Sequence, residues 1–81
     1  MVQVTFRVKE DTKLASVVMF SDQGQLRYKV SLGKDHWFTI EPSGIPGPGD
    51  RIIWLQANKP DEAIQPHFLI QAIGEGIERL E

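Results

Sequence analysis

The sequence predicts an all-β fold: a small antiparallel β-barrel or β-sandwich of five to six strands, with a short C-terminal helical turn. Three observations predict it. Two stretches alternate apolar and polar residues without a fault. Gly/Pro-rich turns recur at short spacing. Further short runs, at 14–20 and 67–73, are apolar on both sides. Period-two alternation marks a strand with one dry and one wet face, and short strands between such turns form barrels or sandwiches.

The first strand covers residues 2–9. Val2, Val4, Phe6 and Val8 face one way, and Gln3, Thr5, Arg7 and Lys9 the other. Glu10 to Lys13 make a polar turn. The second strand, 14–20, is apolar on both sides: Leu14, Val18 and Phe20 against Ala15, Val17 and Met19. A strand of that kind is central or covered twice. Ser21-Asp22-Gln23-Gly24 is a hairpin connection, with Gly24 free to take positive φ. The third strand, 25–32, sets Leu26, Tyr28, Val30 and Leu32 against Gln25, Arg27, Lys29 and Ser31. Gly33-Lys34-Asp35 turns the chain into a fourth strand, 36–41, with Phe38 and Ile40 inward and Trp37 outward. Strands two to four form a meander.

Residues 42–50 hold three of the five prolines and three of the seven glycines. Proline lacks an amide donor and glycine weakens strands, so this stretch reads as an irregular crossing between sheet halves. A fifth strand spans 51–57, a loop 58–66 and a sixth strand 67–73. In the tail, Ile70, Ile73, Ile77 and Leu80 have helical spacing. Gly74 and Gly76 each cost a helix about 1 kcal/mol, so the reading there is a loose turn or one helical turn. The expected core comprises Val4, Phe6, Val18, Phe20, Tyr28, Val30, Phe38, Ile40, Ile52, Trp54, Phe68 and Ile70.

The 81 residues are expected to make a single domain, and such a short chain has a small core. With no cysteine, disulfides and thiolate metal sites are excluded. No apolar run reaches the roughly 20 residues that span a bilayer, and the amino terminus alternates instead of forming a leader block. A cytoplasmic location is the expectation, without membrane partners.

Net charge is −2, which opposes general polyanion binding. Its arrangement is uneven. The charges within the two alternating strands, Arg7, Lys9, Arg27 and Lys29, are all positive, and the acids fall to turns, strand ends and the tail. If those strands neighbour each other, the four cations and Trp37 form a candidate ligand-binding face. Cations would neutralise phosphates there and the ring would stack a base.

Pro48-Gly49-Asp50, the strand with Trp54, and Pro66-His67-Phe68 resemble a segment of cupredoxins, in which His67 would bind copper. The chain has neither the cysteine of that copper site nor a methionine after His67. His36 and His67 form no close-spaced ligand pair, and no serine lies in a nucleophile motif. The expectation is therefore no catalytic residue, no metal ligand and no cofactor. The function expected is a non-catalytic protein-interaction or self-association module, with a protein partner or a homo-oligomer. Binding of single-stranded nucleic acid or another anion by the basic face is the alternative.

Overall fold

The computed structural model describes residues 2–33, 35–57 and 59–80. Five strands form one antiparallel sheet in sequence order: β1 (Val2–Val8), β2 (Asp11–Asp22), β3 (Gln25–Gly33), β4 (His36–Pro46) and β5 (Ile52–Gln56). A single turn of 3-10 helix, Pro48–Asp50, precedes β5. A helix, α1 (His67–Glu78), follows it. The sheet curls into a half-barrel, and α1 packs on β1 and β5, the two strands at its edges. The all-β expectation with a short helical element holds, with five strands.

Turn chemistry explains the meander. Between β2 and β3, Gln23 and Gly24 both take positive φ, 53° and 80°, which matches the right-handed twist of the flanking strands. The first turn is tighter than the sequence suggests. Lys9 takes φ 58° and β2 already begins at Asp11. The inner faces of β1 to β5 supply Val4, Phe6, Ala15, Val17, Tyr28, Val30, Phe38, Ile40 and Trp54 to one core, and α1 adds Ile70, Ile73 and Ile77.

Three expectations are corrected. Residues 67–73 are not a sixth strand. They begin a helix that continues to Glu78 through both glycines. The glycines are there because the helix comes too close to the sheet for a side chain. A Cβ on Gly74 would enter the Trp54 ring, and one on Gly76 would meet the Thr5 carbonyl and lie 2.7 Å from Val4 Cγ1. The Pro/Gly stretch is no crossing between sheets either. β4 runs to Pro46, irregular between Pro42 and Pro46, and Gly47 N–H bonds Arg51 O at 2.7 Å to close a hairpin into β5.

The third correction concerns the core. Val18 is 43% exposed and Phe20 half-buried, because Val17 is the β2 residue that pairs with Val2 and Val30 on the inner side. Phe68 is 59% exposed, on the helix face opposite Ile70 and Ile73. Ile52 opens β5 at the sheet end and is also exposed.

The helix also protects both sheet edges. The Gln71 side chain accepts from Trp54 N–H (2.9 Å) and donates to Ile52 O (2.8 Å), so one amide group occupies the place of a neighbouring strand. His67 Nε2 donates to Trp54 O at 3.0 Å. On the other edge Arg79 reaches Thr5 O. Unpaired edges template aggregation, and covering them is a recognised remedy.

Candidate interaction surfaces

The outer face of the sheet carries Arg7, Arg27, Lys29 and Trp37 as alternation requires, but the structure does not gather them. β2 lies between β1 and β3. Arg7 pairs across to Thr12 and Lys29 to Val18. Those positions lie six residues apart on β2, roughly 20 Å along the strand. Lys9 sits in the first turn. Arg27 is engaged by the protein's own carboxylates. It donates to Asp22 and, at 3.1 Å, to Glu41, and Asp22 also accepts from Lys59 at 2.9 Å. The Lys59 hydrogen bond and charge, with Arg27 beside it, hold the Asp22 carboxyl below its ordinary value against a desolvation effect that raises it. The hydrogen bond to Glu41 comes first among the causes that raise the Arg27 pKa. Lys29 and Trp37 come together, the ammonium lying 4.3 Å from the ring centroid, with Arg27 two residues from Lys29 on the same face of β3.

His67, the residue on which the cupredoxin likeness depended, begins α1 and is tied to the Trp54 carbonyl. Among the described residues, no group of three His, Cys, Asp or Glu side chains could hold a metal. No helix there is long and apolar enough to cross a membrane.

A second surface lies at one mouth of the half-barrel, where α1 leaves the inner face incompletely covered. Val4, Val17, Tyr28 and Ile77 form the floor of a groove of about 170 Å³, and Val2, Met19 and Leu80 form its rim. Met19 is 62% exposed and Leu80 55%. Every lining residue is apolar or aromatic. Sequence reading missed this site because it assigned the Val18 and Phe20 side of the second strand to the core, which left Val17 and Met19 on the other side. The excess of apolar residues over what a small core can bury points from the sequence to a covered apolar surface but does not place it.

A third feature is the strap of residues 59–66 between β5 and α1. The Glu62 carboxylate accepts from Thr39 N–H (2.6 Å) and from the Thr39 hydroxyl (2.9 Å). Thr39 is buried there. His36 Nε2 bonds Gln65 Oε1 at 3.3 Å.

No family model, curated protein or solved structure matches the chain.

Proposed function

We propose that the chain is a non-catalytic interaction module that pairs with a second copy of itself through the apolar mouth groove. The groove carries this reading: an exposed concave surface with apolar knobs, Met19 and Leu80, beside an apolar floor. Contiguous exposed apolar surface marks an interaction site. A two-fold contact needs a self-complementary patch, and knobs beside a hollow supply one. No charged side chain lines the groove, so two chains of net charge −2 meet there without burying like charges. The covered sheet edges favour a face over strand-to-strand pairing. The carboxylates of Asp22, Glu41, Glu62, Glu75 and Glu78 are each engaged by a structural partner, which supports a role without catalysis.

Light scattering across a concentration series tests the proposal. The chain is expected to dimerise and Met19→Glu to weaken the dimer more than tenfold, since each half of the contact then buries an unpaired carboxylate. A chain that stays monomeric at millimolar concentration refutes it.

The Lys29–Trp37 pair favours the second reading, an anionic ligand on the outer face. That reading requires Trp fluorescence to be quenched by a single-stranded oligonucleotide at low salt and restored by added salt. An unchanged signal removes it.

A further inference from the structure

β4 is longer than its outer neighbour, and this difference creates a second docking place. β5 pairs with β4 from Ile40 onward, and one further bond, Ala57 N–H to Thr39 O at 2.8 Å, extends the contact. Beyond it, the β5 side of the first residues of β4 faces the strap. The strap holds on by polar groups: Glu62 to Thr39, Gln65 to His36, Lys59 to Asp22, and the Gln56 side chain of β5, which donates to Ala63 O (2.8 Å) and accepts from Gln65 N–H (2.7 Å). It buries no apolar side chain. Pro60, Ala63 and Pro66 are exposed, and Ile64 is 93% exposed. Hydrophobic burial is the main force that fixes a loop to a sheet, so this cover is held only by hydrogen bonds and one ion pair that water can replace.

The contact it makes is nevertheless specific. A carboxylate takes both the backbone N–H and the hydroxyl of one buried threonine. Charge-assisted bonds of that kind are stronger than neutral ones. Lys29, the residue opposite Thr39 on β3, places a cation on the same face. The site is thus built for a carboxylate, and the chain's own Glu62 fills it from a turn closed by its N–H to Lys59 O at 3.2 Å.

We propose that the strap is a displaceable internal ligand, and that an extended acidic segment of a partner protein binds along the start of β4 by replacing the Glu62 carboxylate at Thr39. Exposed strand edges take extended peptides in this way, with side-chain pockets supplying specificity. An internal competitor lowers apparent affinity by the fraction of time it occupies the site. This goes beyond the mouth groove and does not depend on it.

The test uses the whole chain with Glu62→Ala, and acetyl-Asp-Glu-Ala-Ile-Gln-amide as probe, followed by amide NMR. Glu62→Ala should move the Thr39 amide resonance, and the peptide should move it back. The same peptide with Gln in place of Glu should bind at least tenfold more weakly, and the unsubstituted chain should bind the acidic peptide at least tenfold more weakly than Glu62→Ala. If Glu62→Ala does not fold, Glu62→Gln serves, with the same expectations. Absence of any response at His36 to Thr39 overturns the proposal, as does equal binding of the two peptides or equal binding by the two chains. Met19 and Leu80 resonances report the groove separately, so failure at Thr39 leaves the dimer reading to its own test.

Discussion

Replacing Gly76 by alanine sets two known effects against each other. In an exposed helix the change would stabilise by about 1 kcal/mol, because alanine loses less backbone freedom. Here the new methyl would lie 2.7 Å from Val4 Cγ1 and closer still to the Thr5 carbonyl oxygen. Ordinary carbon contacts begin near about 3.5 Å, so something must move by about 1 Å. Neither neighbour gives easily. Val4 is fully buried, and the Thr5 oxygen belongs to the backbone of a paired strand. The helix must lift off β1, which loosens the packing of Ile73 and Ile77. Overpacking a core costs roughly 1–3 kcal/mol, and loss of the fit beneath the helix falls at the upper end. After the helix gain is subtracted, Gly76→Ala should destabilise by about 1–2 kcal/mol. For a domain of this size that lowers Tm by about 4–15 °C. Thermal unfolding followed by circular dichroism reads it. An unchanged or raised Tm would show that the glycine serves only to weaken the helix, and would refute the close-packing account.

Two other predictions rest on polar groups. Gln71→Leu keeps the side-chain volume but leaves the Trp54 N–H and the Ile52 carbonyl without their amide partner. A urea melt should show a loss of about 1–3 kcal/mol, and light scattering should show aggregates from the uncovered β5 edge. Asp22 supplies the pH dependence. Its carboxyl is held below the ordinary value of 3.8 in the folded chain, chiefly by Lys59. Its contribution is therefore complete above that value and is lost as pH falls through the lower folded value. Acid titration of stability should show a drop below about pH 4 that is smaller in Asp22→Asn. Identical profiles for the two chains would exclude this network as a source of acid sensitivity.

The legible parts of the fold were those in which local pattern and final environment agree. β1 and β3 each have one apolar face, and both present it to the core. Turn residues between β2 and β4 marked the meander. β2 offered two apolar faces, so parity alone could not choose between Val17 and Val18. That choice comes from register with Val2 and Val30. The helix was hidden by its own glycines. Propensity counts their entropy cost, and only the position of Trp54 and β1 reveals what compensates it. Alternation gave the outward direction of Arg7, Arg27 and Lys29 but left strand order open, and a positive face also depends on register and on which acids approach. Asp22 and Glu41, placed at a turn and a strand end, both reach Arg27. The edge role of Gln71 has no sequence signature.

The placement of α1 has a consequence during synthesis. It is made after all five strands, yet it bonds to both margins of the sheet. At roughly 5–20 residues per second, the stretch after β5 takes about 1–5 s to translate. Throughout that interval the nascent sheet has bare margins and an uncovered inner surface. The growing chain is most prone to misassociate just before α1 emerges, and docking of the helix then covers the inner surface and reaches both margins.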